Sequence, residues 1–199
     1  MPITEIATPS LKQDEATRST FEGTIQPILS KTLNLAQGIK WQFIAPMLTE
    51  NGENVQSAVK YALVLGQLPL RPYAMLTFTD IAETEWETAQ HFHDFLATPQ
   101  FQAFGAQVKP FATAPPQPQI FETDLSPSTV FSSPLTEVFR IGIGSGGNNL
   151  DVVREAWKAF IAATEISLPG LPSLSGTSLN LDQELFLGVV GWAGVDVSP

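Results

Sequence analysis

The sequence contains no cysteine, has few basic residues and lacks any long hydrophobic run. Without cysteine it has no disulfide framework, no thiol nucleophile and no thiolate metal site. The 10 Lys and Arg residues are outnumbered by 20 Asp and Glu, which leaves a formal net charge of -10. Nucleic acids and anionic membranes are bound by basic surfaces, so we expect neither as a partner. No apolar run approaches the length of a membrane span, and the first residues do not resemble a secretion signal, so we expect a cytoplasmic protein.

Apolar side chains, by contrast, are abundant. The 199 residues are 43% hydrophobic and 10% aromatic. Such a chain can bury a sizeable core, either as one large domain or as two small domains packed together.

The start of the sequence is repeated later in the chain. Its opening residues, Pro2-Ile-Thr-Glu-Ile6, are repeated as Pro134-Leu-Thr-Glu-Val138. A helical pattern and then apolar, strand-like segments follow each copy, and a repeated order of elements is a stronger signal than a few shared letters. The first copy has the order strand-helix-strand-strand-helix-strand, which is the split βαβ or ferredoxin-like unit. The second copy stops after strand-helix-strand-strand.

We therefore predict an α+β fold made of tandem ferredoxin-like repeats, the second of them incomplete. The first repeat spans 1–127 and the second 134–199, with 128–133 as the linker. The two copies should superpose as βαββ units, with 4–11 matching 136–143 and 41–43 falling near 175–179.

In the first copy, an apolar stripe predicts one helix from Thr17 to Gln37, bent at Pro27 and ended by Gly38. Ser10, Asp14 or Thr17 could cap it. We also predict strands over 39–44, 61–66 and 119–125, of which 61–66 is central and buried. An Asn51-Gly52 turn lies in the loop before the central strand, and 67–82 is an insertion after it. A further helix starts at Thr84, includes Trp86 and is divided by Pro99. In the second copy we predict a strand over 136–143, a helix over 149–164, and strands over 174–181 and 185–192.

Four segments together resemble a known family: Tyr61–Gly66, Trp86–Phe95, Gln119–Leu125 and Phe186–Trp192. The pattern is similar to the fungal proteins of the dimeric α+β barrel superfamily, which includes antibiotic-biosynthesis-monooxygenase-like domains. The resemblance implies two sheets packed face to face into a barrel, with a ligand pocket between a sheet and its covering helices. Family members include cofactor-independent oxygenases, cyclases, isomerases and haem-degrading enzymes, so the fold alone does not choose a reaction.

The two histidines, His91 and His93, are the candidate general bases, since imidazole titrates near neutral pH. Two positions apart on a helix, they point about 200° apart, so at most one can face a pocket. His93 borders the apolar face set by Phe92 and Leu96, so we expect His93 inward and His91 outward. His93 is the catalytic candidate, and packing is the alternative role.

The segment Gly142-Ile-Gly-Ser-Gly-Gly147 fits the G-x-G-x-x-G pattern of dinucleotide sites. Too few residues follow it for a nucleotide-binding fold, so the favoured interpretation is a flexible helix entry capped by Asn148 or Asn149. No metal-ligand spacing and no serine nucleophile motif is present, and we predict neither a metal nor a cofactor.

The remaining candidate binding residues are aromatic side chains and one arginine. A pocket for a flat, hydrophobic molecule would be lined by aromatic side chains, although such residues also build cores. Arg140, within an apolar strand, either points to solvent or anchors an acid or enolate oxygen. The candidate substrate-binding residues are Trp41, Tyr61, Trp86, Arg140, Trp157 and Trp192.

These observations lead to two main hypotheses about function, with a degenerate or truncated family member without activity as a third class. The first is an enzyme of secondary metabolism acting on a hydrophobic, polyketide- or terpenoid-like substrate. The second is a non-catalytic ligand-binding or assembly module of the same fold. The second copy stops before its last helix and strand, which would leave an apolar patch around Val189, Val190 and Trp192. We expect the insertion at 67–82 or another chain to cover it, giving a homo-oligomer.

Overall fold

The computed structural model describes residues 2–36, 38–39, 42–65, 86, 88–144, 149–182 and 184–194. Trp41, the insertion predicted at 67–82 and positions 145–147 of the glycine motif lie outside the described residues.

The described elements alternate between strands and helices along the chain. The strands are β1 (Ile3–Ala7), β2 (Gln42–Pro46), β3 (Thr49–Glu50), β4 (Glu53–Asn54), β5 (Tyr61–Leu65), β6 (Gln119–Thr123), β7 (Leu135–Gly142), β8 (Ser173–Ser178) and β9 (Leu185–Trp192). The α-helices are α1 (Glu15–Thr20), α2 (Gln26–Leu33), α3 (Ala89–Leu96), α4 (Pro99–Val108), α5 (Ser128–Phe131) and α6 (Asn149–Ser167), with a π-helix at Phe21–Ile25.

The chain forms two compact units. The N-terminal unit is Glu5–Pro118, and the C-terminal unit combines Met1–Thr4 with Gln119–Pro199. The contacts divide the chain at Pro118, and part of the predicted linker 128–133 forms α5. The boundaries of the sequence repeats stay a prediction.

The sheet of the N-terminal unit has the order β2-β5-β1, with antiparallel pairing throughout. The central position of β5 confirms the prediction made from its continuous apolar run. Tyr61 of β5 lies in a core cluster built by the sheet and the helical segment, whose other buried members are Leu11, Phe21, Ile25 and Val59. The predicted Asn51-Gly52 turn joins β3 to β4, and both residues have positive φ (52° and 80°).

A change of helix type precedes Pro27. Asp14 caps α1 by accepting a hydrogen bond from the Thr17 backbone N–H (2.7 Å). The predicted single helix is instead an α-helix, a π-helix and a second α-helix, with Pro27 in the first turn of α2. Proline lacks an N–H and its ring crowds the carbonyl four residues earlier. The wider π-helix accommodates both effects without ending the helical segment.

In the C-terminal unit the strand order is β6-β8-β9-β7, with residues of β1 beside β6. The Thr4 and Thr123 hydroxyl oxygens are 3.0 Å apart in this interior. Helix α6 lies over the sheet through Trp157, whose ring would be 2.5 Å from a Cβ at Gly188. Only glycine at position 188 admits the indole at this distance.

The two units share one arrangement of three strands. β5 lies between β1 and β2, and β9 lies between β7 and β8. Each set follows the order strand-helix-strand-strand, so the predicted tandem ferredoxin-like architecture is confirmed at the level of fold.

The apolar side chains that were expected to need a cover at the end of the second copy are buried, and the predicted cover at 67–82 lies outside the described residues. Val189, Val190 and Trp192 are 0%, 0% and 1% exposed within the single chain. Helices α5 and α6 both pack against β9. A second chain is therefore not needed to cover these three side chains, and that argument for an oligomer was wrong.

Among the described residues, no helix combines the length and the apolar character required to cross a membrane.

Candidate functional site

The most unusual polar group of the N-terminal unit is the carboxyl of Glu5. Glu5 is 7% exposed and lies in β1 between Thr4 and Ile6, which are also buried. Its Oε2 accepts a hydrogen bond from the indole Nε1 of Trp86 (3.0 Å), which is itself buried. Burial raises the pKa of Glu5 to about 7, although the Trp86 hydrogen bond acts in the opposite direction. The carboxyl can therefore hold or release a proton near neutral pH.

Aromatic rings surround this pair. The Trp86 ring lies 5.6 Å from Phe92 and 5.4 Å from Phe95, centroid to centroid, and both phenylalanines are buried on α3. The helix begins at Ala89, after a cap in which the Thr88 hydroxyl accepts from the His91 N–H. Trp86 therefore precedes the helix, and its predicted helical position was wrong.

Gln42 of β2 occupies the same face of the sheet as Glu5. Both residues are opposite Leu65 of β5, one from each side, so their side chains belong to one row. Two strand spacings separate their backbones by about 10 Å. Gln42 is 3% exposed, and its Nε2 and Oε1 atoms have no hydrogen-bond partner among the described residues.

A pocket of about 260 Å³ is lined in part by Phe95 of α3. The same phenylalanine also contacts the ring of Trp86. The lining residues are Leu35, Ala36, His91, Asp94, Phe95, Thr98 and Gln100.

The two histidines are oriented opposite to the prediction. His93 is exposed and touches the edge of Phe92, whereas His91 is half-buried and lines the pocket. The reason is Gly38, where a Cβ would be 2.5 Å from His91 Nδ1, so the glycine backbone admits the imidazole. Gly38 also has φ +78°, which favours glycine for a second reason.

Of the predicted aromatic wall, only Trp86 contacts Glu5 among the described residues. Tyr61 is buried against Phe21 with ring centroids 4.3 Å apart, and its hydroxyl donates to Glu22. Burial, and then the hydrogen bond and charge of Glu22, raise the pKa of Tyr61 to about 12, so the hydroxyl stays protonated.

The other predicted residues belong to the C-terminal unit. Trp157 packs on the sheet beside Phe139 and Phe186. Arg140 is exposed, and its Nη1 donates to Gln119 Oε1 (3.2 Å). Neither geometry identifies a ligand.

Trp192 and Glu137 repeat the Glu5–Trp86 arrangement. The Trp192 Nε1 donates to Glu137 Oε2 (3.2 Å), and Glu137 lies opposite Val190 on β7 and β9 as Glu5 lies opposite Leu65 on β1 and β5. Glu137 is only half-buried. The same row continues to Ser173 of β8, the counterpart of Gln42.

Sequence reasoning missed Glu5 and Gln42. The signal for Glu5 was available, because a Thr-Glu pair opens both copies and a tryptophan follows β5 and closes β9. Gln42 gave no such signal, since a glutamine within an alternating strand is usually exposed.

Within the described part of the chain, no group of three or more His, Asp or Glu residues is arranged to hold a metal ion.

Comparison with known proteins gives a fold and no family assignment by sequence. No family model matches the chain, and the search of curated proteins returned no match.

Several solved structures are similar over nearly the whole chain. An anthrone oxidase-like protein is 11% identical, with 98% of this chain and 75% of that chain covered and a TM-score of 0.60. A protein classed provisionally as a monooxygenase, from Lactobacillus acidophilus NCFM, is 12% identical, with 98% and 79% covered and a TM-score of 0.54. Another provisional monooxygenase, from Fusobacterium nucleatum, is 13% identical, with 98% and 77% covered and a TM-score of 0.52. At these identities the similarity establishes the α+β fold of this group of structures.

Proposed function

We propose that the protein is an enzyme that acts on a hydrophobic small molecule and uses Glu5 as its acid/base group. The observation that carries the proposal is the Glu5 carboxyl, which is buried, hydrogen-bonded to Trp86 and has a pKa raised to about 7. An acid/base group works best when its pKa lies near the working pH, and burial in an apolar site is the usual way to raise a carboxyl to that range.

The chemistry this group can perform is reversible proton abstraction. The charged carboxylate takes a proton from an acidic C–H or O–H of the substrate, which leaves neutral Glu5 and a substrate anion. Return of the proton to another atom gives isomerisation, and attack of the anion within the substrate gives cyclisation. Reaction of the anion with dioxygen gives oxygenation. All three belong to the cofactor-independent class predicted from the sequence, on a polyketide- or terpenoid-like substrate of secondary metabolism.

Anthrone is the first probe, because one structural neighbour is described as anthrone oxidase-like. It has an acidic CH₂ group, and with one dioxygen it yields anthraquinone and one water. Oxygen uptake and deuterium incorporation at the CH₂ group in D₂O report oxidation and proton abstraction separately.

We expect Glu5→Gln to reduce deuterium exchange by about 10²-fold or more. His93→Gln and Glu137→Gln are the matched controls and should keep the exchange rate within about twofold. Full exchange by Glu5→Gln across a panel of acidic ring ketones would refute the proposal.

The second candidate, a non-catalytic binding module, is favoured by Gln42, whose buried amide suits a bound ligand more than a reaction. It predicts saturable binding of ring compounds with no deuterium exchange in wild-type protein.

We also propose a homo-oligomer. Strand β7 ends the sheet of the C-terminal unit, so its outer edge has no paired strand among the described residues, and it exposes Val138 and Ile141. An exposed eight-residue edge can pair with a second copy.

A further inference from the structure

A buried glutamine amide destabilises the folded protein if its side chain serves only for packing, and Gln42 carries such a buried amide. A buried amide without hydrogen-bond partners loses its bonds to water and gains none in return. The other buried polar side chains of the same unit show the usual solution: the Thr32 hydroxyl donates to the Ile28 carbonyl oxygen (2.8 Å), and Glu5 accepts from Trp86. Within the described residues, both ends of the Gln42 amide lack such a partner.

The neighbours of Gln42 show that the fold does not need an amide there. Ile44, two residues on and therefore on the same face, packs against the core of the unit. In the C-terminal unit, the corresponding position of the row is Ser173, which is half-buried. An apolar residue therefore suits the next position on this face and a small residue suits the counterpart in the other unit, so the amide at 42 calls for another explanation.

We propose that Gln42 recognises the substrate by hydrogen-bonding a group that presents a donor and an acceptor side by side, such as a primary carboxamide, a lactam or a carboxylic acid. A glutamine amide offers one acceptor oxygen and two N–H donors in one plane, which complements such groups. The inference rests on the proposed function, because it assigns the substrate to the face of the sheet that carries Glu5.

Selectivity follows from the same geometry. A ligand that lacks the paired donor and acceptor leaves the buried amide unpaired again, and sites built on hydrogen bonds reject such analogues strongly. Gln42 would then select the substrate while Glu5 exchanges its proton, so the two roles can be tested apart.

The test uses two naphthalene probes that differ only in the polar group. 1-Naphthamide carries both donor and acceptor, and N,N-dimethyl-1-naphthamide lacks the donor. By calorimetric titration, wild-type protein should bind 1-naphthamide at least about tenfold more tightly. Gln42→Met, an unbranched replacement of similar length, should reduce that ratio below about twofold, and Ser173→Ala should leave it unchanged.

Thermal unfolding without ligand supplies an independent readout. Gln42→Met and Gln42→Leu should raise the midpoint by about 2–4 °C, because each removes an unpaired buried amide. Thr32→Val, which deletes a paired hydroxyl, should lower it. A lower midpoint in both Gln42 variants would mean that the amide is paired in the folded protein, and equal binding of the two probes by wild type would mean that no such recognition exists. Either result overturns the inference, whereas the proposed function is tested separately, by deuterium exchange in wild type and in Glu5→Gln.

Discussion

Glu5 and Glu137 lie in equivalent strands, and each accepts a hydrogen bond from a tryptophan indole. The two carboxyl groups differ in how far they are buried. Glu5 is 7% exposed beside Trp86, whereas Glu137 is half-buried beside Trp192. A carboxylate is destabilised most where water is excluded, so the buried Glu5 is expected to hold a proton near pH 7.

The first prediction concerns the pH dependence of stability. Unfolded Glu5 loses its proton near pH 4.5, and folded Glu5 loses it near pH 7, because burial raises its pKa. Between these values the folded protein binds more protons, so the stabilising effect of the neutral carboxyl is lost as pH rises through the window. Glu5→Gln, a neutral mimic, should therefore match wild type near pH 4.5 and exceed it by about 3 kcal/mol at pH 8.

Urea unfolding at each pH measures this difference, and Glu137→Gln provides the comparison in a half-exposed setting. A wild-type minus Glu5→Gln difference that stays constant from pH 4.5 to 8 would show that Glu5 does not titrate in this window.

The second prediction concerns the effect of the Trp86 indole N–H on the pKa of Glu5. The Trp86 N–H stabilises the charged carboxylate and so lowers the pKa of Glu5 against the effect of burial. Trp86→Phe keeps a ring but removes the donor, so the pKa of Glu5 should rise further and the decline in stability should extend to higher pH. The same urea series tests this, with Trp192→Phe as control. An unchanged pH window in Trp86→Phe would contradict the assignment of the hydrogen bond.

At the scale of elements, local signals in the sequence were sufficient wherever one residue type dictates the backbone. Pro99 divides two helices as predicted, with the Thr98 hydroxyl capping the second by accepting from the Phe101 N–H. The Asn51-Gly52 turn follows from the tolerance of both residues for positive φ. These features depend only on neighbours in sequence.

Features that depend on distant residues were not predicted. The orientation of His91 is set by Gly38, more than fifty positions earlier, and the burial of Glu5 by Trp86, 81 positions later. Helical periodicity placed His93 inward because it could not include the approach of another backbone. The central position of β5 was predicted from its apolar run, but the row that joins Gln42 to Glu5 is visible only in the register of the strands.

The third prediction concerns how α6 is held. Helix α6 contains no fully buried residue, and its Trp157 ring lies over Gly188. A Cβ at 188 would overlap that ring, so Gly188→Ala should displace the helix and cost about 1–3 kcal/mol of unfolding free energy. Gly194→Ala is the control, because a Cβ added at Gly194 would meet no atom within 4 Å. Equal unfolding midpoints for the two variants would show that α6 is anchored elsewhere.

For the whole molecule, the net charge and the exposed edge of β7 have opposite effects on the association of two copies. The net charge of -10 makes two copies repel, while the edge of β7, which has no paired strand in the described part of the chain and exposes Val138 and Ile141, favours association. Raising the salt concentration from about 0.01 to 0.1 M shortens the screening length from about 30 to 10 Å, so repulsion weakens while apolar burial persists. Association should therefore strengthen with salt.

The final prediction is that light scattering detects a dimer or larger assembly whose population grows with salt, and that Val138→Lys restores the monomer. A lysine on a strand edge would bury its charge on pairing, which is how natural edge strands avoid association. Leu179→Lys, at another exposed apolar residue of the same unit, is the matched control and should leave the assembly intact. A monomer at every salt concentration would refute the oligomer. An assembly that survives Val138→Lys would place the interface away from β7, since the substitution charges that edge without removing any buried side chain.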